Sequence, residues 1–173
     1  MKILCAVAAA VAAITAQDAF AQQQSLTADL AAIIAREAIA KCRADGIKVS
    51  VRVVDAENVT KAFLRDDGAA PITVDFSQMK INSVILTGRA SGSNPGTPQT
   101  LPGTTAQRPI LPGGLGLETA AGKVIVAAEV GGAIPIKVGD QLIGAIGVSG
   151  APAADKDVAC ATAGLAKVAD KLK

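Results

Sequence analysis

Hydrophobic residues between Thr27 and Gly46 recur at the spacing of one helical face. Thr27 is a typical helix N-cap residue, and Gly46 stands where a helix commonly ends in a left-handed residue. The pattern therefore predicts a helix from about Ala28 to Ala44. Its apolar face consists of Leu30, Ile33, Ile34, Ala38 and Cys42.

Polar and apolar residues alternate after this helix. The stretch KVSVRVVD, residues 48–55, alternates valines with polar residues, which is the period of a half-buried strand. A turn then leads into VTKAFLRDD, residues 59–67, as the returning strand of a hairpin. Three further strands are predicted, and a tight Gly139-Asp140 turn joins the last two. They are KVIVAAEV (123–130), AIPIKV (133–138) and QLIGAIGVSG (141–150).

Helical spacing returns at residues 74–87 and at residues 154–172. Residues 90–116 hold most of the chain's eight prolines together with many glycines, so we predict a long surface loop there. The order is α-β-β-α-loop-β-β-β-α, which favours an α+β fold with one five-stranded antiparallel sheet flanked by helices. Residues 22–173 have the length of a single domain.

The first 21 residues have the organisation of a secretory signal peptide. Met1-Lys2 gives a positive start, residues 3–14 are apolar, and Ala19-Phe20-Ala21 is a small-x-small cleavage signal. We therefore expect cleavage before Gln22 and a periplasmic or secreted protein. No membrane span is expected, because no stretch approaches the roughly 20 apolar residues that a transmembrane helix needs.

The composition excludes several classes of site. The chain contains no His, which removes zinc sites, Ser-His-Asp triads and a His-ligated haem. No nucleic-acid partner is expected, because the net charge is only +2 and there is almost no aromatic surface for base stacking. Gly144, Gly147 and Gly150 do not match a dinucleotide-binding fingerprint, and no P-loop lysine follows, so no nucleotide cofactor is expected.

Two cysteines, Cys42 and Cys160, follow the predicted signal peptide, each within a predicted helix. In an oxidising compartment they could form a disulfide. Small apolar cysteines that pack helices in the reduced state are also common. The sequence leaves both alternatives open.

Four motifs in order resemble the GlcG/HbpS family of haem-binding-type proteins. They are VVDAENVTKAFLRDDGA (53–69), KINSV (80–84), GGAIPI (131–136) and GAIGVSG (144–150), and they are followed by Asp157 and a helix of small residues. The resemblance implies a profilin-like domain that assembles into homo-oligomers. It also implies haem or a related tetrapyrrole as ligand, since some family members bind haem outside the cytoplasm.

Two segments depart from the family pattern. Where the family has R-M-D-G-A, this chain has a carboxylate, Asp66, in place of the apolar residue. Where the family has K-A-x-T-A, Ile81 and Val84 replace small residues. Both changes could reshape a pocket that these segments line. The alternatives to a haem-binding protein are an enzyme acting on a hydroxy- or keto-acid, with Lys80 and Asp67 in acid-base roles, and an accessory protein without a ligand.

The candidate polar group for an acidic ligand consists of Arg65, Asp67 and Lys80, beside Gly68. Two cations could hold carboxylates or propionates, and the acid could transfer a proton. A structural salt bridge between a strand end and the next helix explains these residues equally well. If haem binds, its iron needs an axial ligand, and the candidates are Met79, the two cysteines, a lysine such as Lys80, and a weak oxygen ligand.

Further ligand contacts are expected from the glycine-rich C-terminal half. Gly131, Gly132 and Pro135 could present backbone N–H groups to an anion, or form a simple tight turn. Ser149 could donate to a ligand, or belong to an ordinary strand-to-helix turn. Asp157, near the start of the last helix, is explained by the favourable interaction of a carboxylate with the helix dipole.

Overall fold

The structure is a computed structural model that describes residues 24–92, 110–111, 114–118, 124–128 and 130–172. The predicted signal peptide and its cleavage site lie outside these residues, as does most of the predicted 90–116 loop. One short strand, at 110–111, lies within the segment predicted as loop, and a second, at 114–118, begins within it. None of the helices in the described part of the chain is long and apolar enough to cross a membrane.

Three α-helices and seven strands are found among the described residues. The helices are α1 (Ala28–Ala44), α2 (Thr73–Thr87) and α3 (Ala154–Ala166). The strands are β1 (Ser50–Asp55), β2 (Thr60–Arg65), β3 (Ile110–Leu111), β4 (Gly114–Glu118), β5 (Val124–Ala127), β6 (Ala133–Val138) and β7 (Gln141–Ser149). The α+β class predicted from the sequence is confirmed.

Residues adjacent in sequence determine where α1 begins and where α2 ends. The Thr27 side chain accepts a hydrogen bond from the Leu30 N–H, as expected of an N-cap, and α1 has the predicted bounds. At the end of α2, Gly88 adopts a left-handed conformation with a φ of 69°, and its N–H donates to the Val84 carbonyl. The two helix ends therefore follow from residues next to them in sequence.

The main sheet has four antiparallel strands in the order β2-β1-β7-β6. Both predicted hairpins, β1-β2 and β6-β7, are present. The register places Ser50 of β1 between Arg65 of β2 and Ser149 of β7. Because residues directly opposite each other project from the same face of a sheet, these three side chains share one face.

The sheet differs from the prediction in its fifth strand. The segment predicted as a strand at residues 123–130 forms β5, but β5 pairs with β4 in a separate three-stranded sheet. Side chains of α2 donate to one carbonyl of β5 and to one just after it: Asn82 donates to Val126 and Ser83 donates to Ala128. The prediction made this segment the fifth strand of the main sheet. In the structure it lies outside that sheet and is bound by side chains of α2.

Helices cover the main sheet on both faces. One hydrophobic cluster joins α1 and α3 to alternate residues of β1 and β7, including Val51, Val53, Ile146 and Val148. A smaller cluster joins α2 to the opposite face, through Val54 and Ala145 among others. Glycine in β7 permits the close approach of α2, since a Cβ at Gly147 would lie 2.4 Å from the Ser77 carbonyl oxygen.

The last helix is shorter than predicted. α3 ends at Ala166, and a 3₁₀ turn follows at Ala169–Lys171, whereas the sequence pattern suggested one helix to residue 172. The N–H groups of Lys167 and Val168 donate to carbonyls three residues earlier, which tightens the chain and buries Val168 in the core. Burial of Val168 is thus achieved by a tighter turn.

The structure decides between the two alternatives for the cysteines. Cys42 of α1 and Cys160 of α3 form a disulfide, with their Cα atoms 5.6 Å apart. Both residues are fully buried within the larger hydrophobic cluster. The two helices on this face of the sheet are therefore joined covalently.

Candidate functional site

Lys80 is a buried lysine on α2, with only 3% of its surface exposed. It belongs to the helical stripe that faces the sheet, together with Ser77, Ile81 and Val84. Its Nζ donates to the Asp157 Oδ2 at 2.7 Å and to the Val148 carbonyl oxygen at 3.0 Å. The amine is therefore engaged by a carboxylate and by the backbone at the end of β7.

Asp157, at the start of α3, completes this buried ion pair and is 2% exposed. Its Oδ1 accepts a hydrogen bond from the Ala151 N–H at 3.0 Å. Burial raises the pKa of the Asp157 carboxyl, although the hydrogen bond and charge of Lys80 oppose this effect. Desolvation therefore outweighs the attraction between the two groups.

Gly132 lies against the ion pair and leaves room for it. A Cβ at this position would lie 2.7 Å from the Lys80 Nζ and 2.6 Å from the Val148 carbonyl oxygen. The φ of Gly132, 134°, is also one that residues with side chains rarely adopt. The structure thus places Gly132 beside Lys80, Asp157 and the Val148 carbonyl oxygen.

Gly131 and Pro135, on either side of Gly132 in the sequence, have different surroundings. Gly131 packs against α3, since a Cβ there would meet the side chains of Ala154 and Val158. Pro135 lies in β6 opposite Ala145. Because β6 is at the edge of the main sheet, a proline that lacks an N–H is tolerated there.

In the Arg65–Gly68 turn, at the end of β2, Arg65, Asp67 and Gly68 are exposed and Asp66 is buried. The guanidinium of Arg65 donates to the Ala69 carbonyl oxygen within the same turn, and Gly68 has a φ of 84°. In the described part of the chain, no hydrogen bond or ion pair joins Arg65 or Asp67 to Lys80. Lys80 is paired with Asp157, and the expected contact with Asp67 is not formed.

The structure explains why a carboxylate, Asp66, can stand where the family has an apolar residue. It is 2% exposed, and its Oδ1 accepts a hydrogen bond of 3.0 Å from Arg43 Nε, while the Lys48 ammonium lies 3.7 Å from its Oδ2. Burial raises the pKa of the Asp66 carboxyl, but the hydrogen bond and the two cationic charges outweigh burial and lower it overall. The substituted carboxylate therefore ties β2 to the end of α1.

Ser149 is buried at the end of β7 and lies opposite Ser50. The Ser50 hydroxyl shares a hydrogen bond of 2.7 Å with the hydroxyl of Thr73, the first residue of α2. Arg65 continues the same row on the other side of Ser50. Ser149 and Arg65 therefore share a face of the sheet and are separated by one strand.

The structure narrows the candidates for a haem ligand. The two cysteines are joined in a disulfide, and the Lys80 amine is bound to Asp157 and Val148. Among the described residues, no three His, Cys, Asp or Glu side chains are grouped so as to hold a metal ion. Met79 and a weak oxygen ligand remain as axial candidates. Met79 is half-buried on α2, and its carbonyl accepts a hydrogen bond from the Ala128 N–H, just after β5.

Asp157 is the site residue that the sequence analysis missed. The acid was assigned to the helix dipole, yet residues 157, 160, 161 and 164 form the buried stripe of α3. A carboxylate at helical spacing with Cys160, Ala161 and Gly164 is therefore on the core side of the helix. The same spacing identifies Lys80 as a buried cation, because it stands among Ser77, Ile81 and Val84.

The sequence matches one protein family over most of its length. The family, described as HbpS-like haem-degrading proteins, matches residues 26–166. No match is found among curated proteins.

Three solved structures illustrate the similarity in fold. A double mutant of Streptomyces reticuli HbpS is 26% identical over 85% of this chain and 89% of its own, with a TM-score of 0.62. The Klebsiella pneumoniae protein ORFY, from the DUF336 family, is 27% identical over 85% of this chain and 93% of its own, with a TM-score of 0.64. A PduOC:haem complex is 21% identical over 83% of this chain and 94% of its own, with a TM-score of 0.62.

Proposed function

The chain belongs to the HbpS-like family, and we propose from this premise that it is an exported, homo-oligomeric protein that binds haem or a related tetrapyrrole. The observation that carries the proposal is the family match over residues 26–166. The PduOC:haem complex adds a protein of similar fold whose crystal structure contains haem. We also propose that the domain is profilin-like, with the four-stranded main sheet at its centre.

We propose that this chain holds haem without histidine or thiolate. His and Tyr are absent from the sequence, and Cys42 and Cys160 are joined to each other. Met79 is the proposed axial ligand, because thioether sulfur is an established haem donor. Arg65 is the proposed contact for a propionate, because it is an exposed cation on the same sheet face as Ser149. Bound haem would supply the spectroscopic signal by which this assignment is tested.

A haemin titration followed by Soret absorbance tests the proposal. The mature protein is expected to give a saturable, stoichiometric Soret shift. Arg65→Ala is expected to weaken binding, and Arg36→Ala is the matched control, since Arg36 is an exposed arginine that hydrogen-bonds to its own helix at the Ala32 carbonyl. Met79→Leu removes the sulfur and keeps the volume, so it is expected to move the Soret maximum.

The other outcomes identify the alternatives. A protein that stays spectroscopically silent at saturating haemin contradicts the proposal. In that case a panel of hydroxy- and keto-acids is added and the melting temperature is followed, because a ligand that binds the folded state raises it. A carboxylate that stabilises the protein indicates the small-molecule alternative, whereas no shift with haemin or any acid indicates an accessory protein.

Export and oligomerisation are tested by two separate measurements. Expression with the natural N-terminus is expected to yield a periplasmic or secreted chain that begins at Gln22, which intact mass reports directly. Light scattering of the purified protein is expected to give a multiple of the monomer mass. A chain retained with residues 1–21, or a monomer at all concentrations, contradicts the corresponding part of the proposal.

A further inference from the structure

The Lys80–Asp157 pair connects elements on both sides of the main sheet. Lys80 belongs to α2, which covers one face, and Asp157 belongs to α3, which covers the other. Their contact lies where β6 begins and β7 ends, beside Gly132 and Val148. The charged groups therefore meet at the margin of the sheet, where the regular ladder stops.

The hydrogen bonds of this pair are directed at backbone atoms. Lys80 donates to the Val148 carbonyl oxygen, and Asp157 accepts from the backbone N–H of Ala151. The N–H of Val148 in turn donates to the Gly132 carbonyl oxygen at 2.8 Å. The pair thus holds the backbone on both sides of Ser149 and, through Val148, the start of β6.

We infer that Lys80 and Asp157 are positioning residues, which fix the Gly131–Gly132 turn and the Ser149–Ala151 segment for a ligand without contacting it. The inference rests on the proposed function for the identity of that ligand. Both side chains are buried, the Lys80 amine is bound to Asp157 and to the Val148 carbonyl oxygen, and each carboxylate oxygen of Asp157 accepts a hydrogen bond, so neither group is exposed to a propionate. Gly131 and Ser149, two of the candidate ligand contacts predicted from the sequence, are adjacent to the backbone atoms that the pair holds.

An apolar pair of similar volume would fill the same space but could not make these hydrogen bonds. Burying two charges is costly, and replacing a buried ion pair by apolar residues is often neutral or stabilising. The double variant Lys80→Met/Asp157→Leu therefore separates packing from positioning. Its matched control is Lys41→Met/Asp45→Leu, which removes an exposed ion pair within one turn at the end of α1.

Amide hydrogen exchange tests the inference without any ligand. In the buried-pair double variant, we expect the amides of Val148, Gly150 and Ala151 to exchange at least tenfold faster than in the wild type. The amides of the β1-β2 hairpin are expected to keep their rates in this variant, and all amides of β6 and β7 to keep theirs in the control variant. Unchanged rates at residues 148–151, or a uniform increase over the whole chain, would overturn the inference.

Haemin binding then tests the functional consequence. The buried-pair variant is expected to bind haemin at least fivefold more weakly, with a broadened Soret band, while the control variant matches the wild type. Wild-type affinity and an unchanged Soret spectrum in the buried-pair variant would show that the pair is merely structural. If the wild type itself gives no Soret shift, the proposed function fails, and hydrogen exchange still decides whether the pair orders the two segments.

Discussion

Cys160 and Asp157 stand one helical turn apart on the buried stripe of α3 and fasten that helix in two directions. Cys160 is bonded covalently to Cys42 of α1, and Asp157 forms an ion pair with Lys80 of α2. A single stripe of α3 thus connects all three helices. Breaking either link is expected to loosen α3 without removing the rest of the core.

Removing the disulfide should lower stability substantially. The bond joins residues 118 positions apart, and in the chain-entropy description a closed loop of this length contributes about 4 to 5 kcal/mol. Urea unfolding of Cys42→Ala/Cys160→Ala is expected to show a loss of this order. A dithiol reductant should lower the wild-type midpoint and leave the variant unchanged. Intact mass without reductant should be two hydrogens below the reduced mass, and two alkylatable thiols in the unreduced, unfolded protein would contradict the bond.

The buried ion pair should be more costly to break than to replace. Lys80→Met alone leaves the Asp157 carboxylate unpaired in the core, and Asp157→Leu alone leaves the ammonium unpaired, so each should cost about 3 to 5 kcal/mol. The double variant should recover most of this loss. Urea unfolding of the four proteins gives the coupling free energy directly. Additive losses in the double variant would mean that the two side chains do not depend on each other.

Asp66 should contribute to stability at neutral pH and lose that contribution in acid. Its pKa is lower in the folded state than in an unfolded chain, so the unfolded state binds more protons as the pH falls between the two values. Asp66→Asn should therefore unfold more easily than the wild type near pH 7, and the difference should close as the pH falls through the folded-state pKa. The matched control is Asp67→Asn, the exposed neighbour.

Thermal midpoints from neutral pH to pH ~3 measure this effect. The cationic partners, Arg43 and Lys48, are about half exposed, so added salt should reduce the difference between the wild type and Asp66→Asn. A difference that stays constant with pH, or equals that of Asp67→Asn, would show that the ion pair to α1 does not stabilise the fold.

Gly147→Ala should disturb the contact between α2 and the main sheet. The added Cβ would lie 2.4 Å from the Ser77 carbonyl oxygen and 2.7 Å from an Ile81 side-chain atom, so the helix must shift outwards. Overpacking of this kind typically costs about 1 to 3 kcal/mol. Gly139→Ala is the comparison, because nothing lies near a Cβ there and only the positive φ opposes it. If urea unfolding shows the smaller loss for Gly147→Ala, the close approach does not limit the packing of α2.

Elements defined by neighbouring residues could be predicted from the sequence. The Thr27 cap and the helical spacing gave α1, alternation gave the β1-β2 and β6-β7 hairpins, and Gly88 marked the end of α2. Each of these depends on hydrogen bonds and turn conformations within a few residues. The motifs of the HbpS-like family are likewise short contiguous segments of the sequence. They could therefore be recognised before the fold was known.

Tertiary structure alone decided which distant groups meet. Lys80 and Asp157 are 77 residues apart, and the cysteines 118, so no local pattern states that either pair is in contact. β5 had the sequence of a strand, but the structure pairs it with β4 outside the main sheet, where side chains of α2 bond to Val126 and to Ala128 just after it. The sequence determined which faces of each element are apolar. Packing those faces together brought the charged groups of Lys80 and Asp157 into contact in the core. Either group buried alone would be an unpaired charge, which is costly.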